Sequence, residues 1–133
     1  MLNYATVGSN KLPEALAFYD ALLGDHGWVK MSDHKSGGRF YRHPSGSMFA
    51  VLGPVDGQPA TTGNGAMLGF WLDSPEGVTS FYEKAIALGG TDEGAAGNRG
   101  TEQMPFYFGY FRDLDGNKLC AYHVPPRPAA AKA

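Results

Sequence analysis

The chain has 133 residues, 43% of them hydrophobic and 18% charged, so its composition predicts one globular domain rather than a disordered segment. A formal net charge of -2 disfavours a nucleic-acid-binding surface, which is normally basic, and a single cysteine excludes an internal disulfide. We expect a cytoplasmic protein without a membrane partner, because no signal peptide is visible and no apolar stretch approaches the roughly 18 residues of a membrane span.

The first half of the chain predicts a strand, a helix and three further strands. Ser9-Asn10 is a candidate helix N-cap, with Pro13 in the first turn, and apolar residues then recur at helical spacing up to Leu23. The predicted strands cover residues 2–8, 28–32, 39–43 and 48–52. A polar connection rich in glycine and proline separates this half from the next.

The second half repeats the same order of elements. A strand at residues 66–72 leads to a helix that begins at Asp73-Ser74-Pro75-Glu76 and ends at Gly89-Gly90. A weak strand at residues 91–93 and a glycine-bearing loop follow. The chain then forms a terminal β-hairpin, with strands at residues 106–111 and 117–124 and a tight turn at Asp113-Leu114-Asp115-Gly116.

Matching residues in the two halves confirm an internal repeat. Phe18-Tyr19 and Phe81-Tyr82 lie 63 residues apart, and Gly46 and Gly116 lie 70 apart. Because one β-α-β-β-β unit leaves a sheet face uncovered, two must pair. We predict an α+β fold of two paired units whose curved sheets surround a cleft, with the helices outside. The predicted single domain covers residues 1–124: unit one is 1–53, a linker 54–64 and unit two 65–124, followed by a flexible tail, 125–133.

Three segments carry a resemblance to a known family: Tyr4-Ala-Thr-Val-Gly-Ser-Asn, Ala17-Phe-Tyr-Asp-Ala-Leu-Leu, and Phe111-Arg-Asp-Leu-Asp-Gly-Asn. With Gly63-Asn-Gly, they make residues 2–124 resemble the vicinal oxygen chelate superfamily, which contains glyoxalase I, bleomycin-resistance proteins and extradiol dioxygenases. The last segment is similar to the family's F-R-D-P-D-G-N, with Leu114 where proline is usual. This resemblance implies the fold more specifically than the reaction, since one fold hosts many chemistries.

The resemblance also implies where a metal would bind. Metal-dependent members take a His from the first strand of each unit and a Glu from the last strand. These positions fall on Tyr4, Met67 and Cys120, and the repeat partner of Cys120 is Ala50. A hard or borderline divalent ion prefers oxygen or imidazole ligands, so these side chains do not suit it. We therefore expect no metal and no other cofactor.

Strand alternation predicts which side chains face the cleft. The predicted ligand-binding residues are Tyr4, Thr6, Met48, Ala50, Met67, Trp71, Arg99, Tyr110, Cys120 and Tyr122. Such an apolar, aromatic lining with a few polar groups is typical of a small-molecule site. The alternative is that the aromatic rings merely fill the space. Arg99 is either a clamp for a substrate carboxylate or phosphate, or a solvated loop residue.

Individual residues leave similar alternatives open. Cys120 is a nucleophile or a packed, inert thiol, and the absence of an identifiable base favours the second. Tyr4 and Tyr122 are ligand-binding donors or buried rings with satisfied hydroxyls. The four histidines have no metal-ligand spacing, which favours turn or surface positions.

The leading prediction is a homodimer that binds a small organic molecule in an aromatic cleft without metal. The alternative, by resemblance only, is an enzyme with a non-standard active site and lyase, isomerase or dioxygenase activity. The sequence identifies no catalytic residue under either hypothesis.

Overall fold

The computed structural model describes residues 1–125, and this part of the chain contains two helices and eight strands. They are β1 (Tyr4–Gly8), α1 (Leu12–Gly24), β2 (Val29–Asp33), β3 (Arg39–Arg42), β4 (Met48–Leu52), β5 (Leu68–Trp71), α2 (Pro75–Ala87), β6 (Thr91–Asn98), β7 (Tyr107–Arg112) and β8 (Lys118–His123). The predicted order, β-α-β-β-β twice, is confirmed. Neither helix is long and apolar enough to cross a membrane. Apart from Pro125, the predicted tail at residues 125–133 lies outside the described residues.

The strands form two four-stranded sheets, in the orders β1-β4-β3-β2 and β5-β8-β7-β6. In each sheet the first strand of the unit pairs in parallel with the last, and the other neighbours are antiparallel. Strands β1 and β5 are therefore edges. Within the described residues, no backbone–backbone hydrogen bond joins residues 1–53 to residues 65–124.

The two helices begin differently. Helix α2 begins within the predicted segment 73–76, and Ser74 is its N-cap, because the Ser74 Oγ accepts a hydrogen bond of 3.0 Å from the backbone N–H of Gly77. The predicted cap of α1 is wrong: Lys11 occupies the N-cap position and makes no capping side-chain bond. Asn10 is held elsewhere, since its side chain exchanges two hydrogen bonds with the backbone of Ala60, of 2.9 and 2.6 Å.

Strand β6 is longer than predicted. The sequence predicted a weak strand at residues 91–93 and a loop beyond it, whereas the strand continues to Asn98. Its pairing with β7 shifts register between Asp92 and Gly94, and again between Gly94 and Gly97. Glycines at such bulges let the strand bend without losing its partner.

A continuous apolar core joins the two units. The ring of Phe49 on β4 lies 5.0 Å from Tyr19 of α1 and 5.3 Å from Phe70 of β5. Phe70 in turn lies 5.3 Å from Phe81 of α2. Because all four rings are buried, this aromatic row supplies much of the apolar contact between the units.

The opposite face of each sheet is open. On β5 and its flanks, Phe70 and Leu72 belong to the core, whereas Met67 and Trp71 are 44% and 56% exposed. Tyr4 on β1 is likewise 47% exposed. The helices thus cover one face of each sheet and leave the other to form the cleft.

The turn between β7 and β8 contacts the other unit. Gly116 has φ of 90°, the positive value predicted for this hairpin. Asn117, which follows it, donates a hydrogen bond of 2.8 Å to the carboxylate of Asp113 and another of 2.9 Å to the carbonyl of Gly8. The hydrogen bond from Asn117 to Gly8 therefore fixes the end of β1 against unit two.

Candidate functional site

A cavity of about 670 Å³ lies between the start of β1 and the end of β5. Unit one contributes residues 2–5 and Met48, and unit two contributes residues 67–73 and Tyr122. A second cavity, of about 170 Å³, lies between the end of β1 and the start of β5. The two edge strands therefore run in opposite directions along the gap, and the larger cavity belongs to both units.

The structure brings together about half of the predicted cleft residues. Those that line the larger cavity are Tyr4, Met48, Met67, Trp71 and Tyr122. Thr6 lines the smaller cavity, and Met67 contacts both. These walls are aromatic rings and thioethers, as in many small-molecule sites.

Ala50 and Cys120 lie on the predicted face but line neither cavity. Both are buried, with 0% and 2% of their surfaces exposed. A Cβ added at Gly69 would meet the Cys120 sulfur at 3.1 Å and the Tyr122 ring at 3.0 Å. The thiol is therefore packed tightly against the Gly69 backbone and close to the Tyr122 ring. Burial raises the pKa of Cys120 to about 11, against the opposing charge of Lys118. Such a thiol is almost entirely protonated at neutral pH, which disfavours a nucleophile.

Arg99 and Tyr110 also lie outside both cavities. They sit together at the outer part of the second sheet, where the guanidinium carbon of Arg99 is 5.7 Å from the centre of the Tyr110 ring. The predicted set thus divides into a group at the gap between units, a group near β6 and β7, and the buried pair Ala50 and Cys120.

Among the residues of the larger cavity that sequence reasoning missed are three with polar ring nitrogens: His26, Trp28 and His43. His26 lies between α1 and β2, and His43 follows β3. The positions of these residues in the sequence do not predict a shared site, because their side chains reach the cavity only when unit two packs against the segments after α1 and β3. The Trp28 and His43 rings are 5.3 Å apart, so both are fixed at the wall.

His26 is the titratable group of most chemical interest in this wall. Its ring lies 4.9 Å from that of Phe81, and its Nε2 is buried without a hydrogen-bond partner among residues 1–125. Burial lowers the pKa of His26, while the nearby carboxylates of Asp25 and Asp73 oppose the shift. A neutral imidazole at pH 7 can accept a proton or a hydrogen bond from a bound molecule.

The residues at the metal positions implied by the resemblance do not fit a hard or borderline divalent ion. Tyr4 offers a phenol, Met67 a thioether and Cys120 a buried, protonated thiol, while Ala50 offers no donor. Among residues 1–125, no three His, Cys, Asp or Glu side chains gather in a group that could hold a metal ion.

Comparisons with known proteins agree with this fold. The model of the Glyoxalase/Bleomycin resistance protein/Dioxygenase superfamily matches residues 1–121. A crystal structure of a glyoxalase/bleomycin resistance protein from Albidiferax ferrireducens T118 is 44% identical and superposes with a TM-score of 0.84, covering 94% of this chain and 99% of that one. No curated protein matches the chain.

More distant structures share the fold alone. Lactoylglutathione lyase from Agrobacterium tumefaciens is 18% identical, with a TM-score of 0.67 and 92% of each chain covered. The fosfomycin resistance protein FosX from Listeria monocytogenes is also 18% identical, with a TM-score of 0.65 and 92% of each chain covered. The match over residues 1–121 and the 44% identical structure show that the chain belongs to the glyoxalase/bleomycin resistance protein/dioxygenase superfamily.

Proposed function

We propose that this protein binds a small organic molecule, without a metal, in the cavity between β1 and β5. The observation that carries the proposal is the cavity itself, whose volume of about 670 Å³ suits a compact organic ligand. It lies at the junction of two units, a common position for ligand sites. Its aromatic and thioether walls offer apolar contact, and a few imidazole and hydroxyl groups offer hydrogen bonds.

Exposed apolar side chains at the cavity support the same proposal. Tyr4, Met67 and Trp71 keep roughly half of their surfaces in contact with water. Adjacent exposed apolar groups of this kind commonly mark a binding surface, because a ligand that covers them gains the free energy of removing them from water.

A second candidate function is metal-independent acid–base catalysis, and His26 is the observation that favours it. Its Nε2 has no described partner, and its lowered pKa keeps the ring neutral at pH 7. A lyase or isomerase step that begins with proton removal needs such a base. Under this proposal His26→Gln abolishes turnover but leaves ligand affinity within a few fold.

Binding can be tested with a matched pair of variants. Met67 and Val55 are both exposed apolar residues, but Met67 lines both cavities, whereas Val55 lies in the linker outside them. Metabolites that raise the melting temperature would be titrated against each variant, with tryptophan fluorescence as the readout. Met67→Arg should abolish binding and Val55→Arg should leave it unchanged. A ligand that binds both variants equally well would place the site elsewhere.

The same proposal includes a homodimer and a cytoplasmic location. The open sheet faces and the edge strand β2, with Val29 and Met31 exposed, offer apolar surface to a second copy. The free, buried thiol of Cys120 suits a reducing compartment.

A further inference from the structure

We propose that Arg99, Tyr110 and Lys118 form a subsite for the carboxylate or phosphate group of an aromatic ligand, on the open face of the second sheet. The inference rests on the proposed function, because it describes where the acidic end of a molecule held at the cavity would lie. It assigns the ligand a chemical class: an organic acid or phosphate ester that carries an aromatic ring.

The three side chains meet on neighbouring strands. Tyr110 is on β7, which lies between β6 and β8. The guanidinium carbon of Arg99, just beyond β6, and the ammonium nitrogen of Lys118, on β8, are each 5.7 Å from the centre of the Tyr110 ring. The two positive charges are therefore no farther apart than twice that distance, and both lie beside the same aromatic ring.

These two charges are not neutralised by the part of the protein that the structure describes. Neither Arg99 nor Lys118 forms an ion pair with a carboxylate there, whereas Arg112, on the same sheet, pairs with Glu93. Arg99 donates a hydrogen bond of 2.5 Å to the carbonyl of Ala95, which orients its guanidinium but leaves its charge uncompensated. An anion placed between two such cations removes their mutual repulsion and gains attraction to both.

An aromatic surface connects this subsite to the larger cavity. The Phe108 ring stacks on Tyr110 at 5.8 Å and on Tyr122 at 5.4 Å, with interplanar angles of 12° and 14°. Tyr122 lines the larger cavity, and Lys118 lines the smaller one. A flat ligand can therefore lie along this row of rings with its acidic group at Tyr110.

The test compares two probes of the same shape, 2-naphthoate and the neutral 2-naphthylmethanol, by titration calorimetry on the full chain. We expect wild-type protein to bind naphthoate about tenfold more tightly, as charge-assisted hydrogen bonds predict. Arg99→Met and Lys118→Met should each lower the affinity for naphthoate about five- to tenfold without changing that for the alcohol. Lys118→Arg should retain the preference.

Lys30→Met supplies the control, because Lys30 lies on edge strand β2 and pairs with Asp20, away from the second sheet. It should not alter either affinity. If wild-type protein binds both probes equally, the anion subsite is wrong while the cavity proposal stands. If neither probe binds, the assignment of an aromatic acid is wrong, while the cavity proposal is decided separately by the Met67→Arg titration. Equal losses for both probes in the variants would show a packing role and overturn the assignment of charge recognition.

Discussion

The hydroxyl of Tyr19, on α1, donates a hydrogen bond of 2.5 Å to Oδ2 of Asp113, in the turn before β8, 94 residues away. Both groups are buried, and the bond crosses from unit one to unit two. The second oxygen of Asp113 accepts from the backbone N–H groups of Asp115 and Asn117, each at 2.9 Å. The carboxylate therefore holds its own turn together and fastens it to the opposite helix.

Removing that hydroxyl should destabilise the protein. Because hydrogen bonds to buried charged groups contribute about 1.5–3 kcal/mol, Tyr19→Phe should lower the free energy of unfolding by about that amount in urea. Tyr82→Phe is the matched control: Tyr82 is the repeat counterpart of Tyr19, but donates to Asp92 within its own unit at an exposed site. It should cost markedly less. Equal decreases in the free energy of unfolding for the two variants would show that the hydrogen bond between units contributes no more to stability than the one within a unit.

Stability should fall in acid partly because of His26. Its folded-state pKa is lowered by burial, so near pH 7 both folded and unfolded forms are neutral and the group has no effect. As the pH falls through the ordinary histidine pKa of about 6.5, the imidazole is protonated in the unfolded state but remains neutral in the folded state. The free energy of unfolding therefore decreases until the pH falls below the folded-state pKa. Urea unfolding at about pH 7.5 and 5.5 should therefore show a smaller loss for His26→Phe than for wild type. Equal losses would contradict this.

The thiol of Cys120 should react slowly. With a pKa of about 11 and 2% of its surface exposed, it offers little thiolate and little access. Its alkylation by iodoacetamide at pH 8 should be at least about a hundredfold slower in native protein than in guanidinium chloride. Cys120→Ala gives the background rate. Rapid labelling of the folded protein would restore the nucleophile hypothesis.

Purified protein should carry no stoichiometric divalent metal. Tyr4, Met67 and Cys120 occupy the three positions where the family resemblance implies ligands, and they do not suit zinc, nickel, manganese or iron(II). Elemental analysis after dialysis should find far less than one ion per chain. A chelator should leave the melting temperature unchanged, because a metal bound only to the folded state would raise it. Near one ion per chain would refute the proposal.

In solution, light scattering should give twice the mass of one 14.2 kDa chain. The reason is the exposed apolar surface on edge strand β2 and on the open sheet faces, which a second copy would cover. A mass of one chain at working concentration would exclude the dimer.

Sequence alternation located the sheet faces because it depends on local geometry. Phe70 and Leu72 point into the core and Met67 and Trp71 away from it, as two-residue periodicity requires. The start of α2 was likewise predictable, since the bond that caps it joins Ser74 to Gly77, only three residues away.

The main failures involve partners that lie outside the local sequence pattern. Asn10 does not cap α1 because Ala60, 50 residues away, holds its side chain. β6 extends beyond residue 93 because β7 supplies hydrogen bonds across two bulges. His26 enters the larger cavity because the opposite unit packs beside it. A local sequence pattern cannot predict contacts that form only in the tertiary structure.

Because the edges of β1 and β5 are unpaired, the two halves of this chain associate as the subunits of a heterodimer do. Each sheet closes its hydrogen bonds within one half, and the halves meet through the Phe49–Phe70 contact and through side chains such as Tyr19 and Asp113. The linker's main contribution is then to raise the effective concentration of one half for the other. Fragments cut within the linker and expressed together should reassemble by complementation, and a molecule seated between β1 and β5 should strengthen their association.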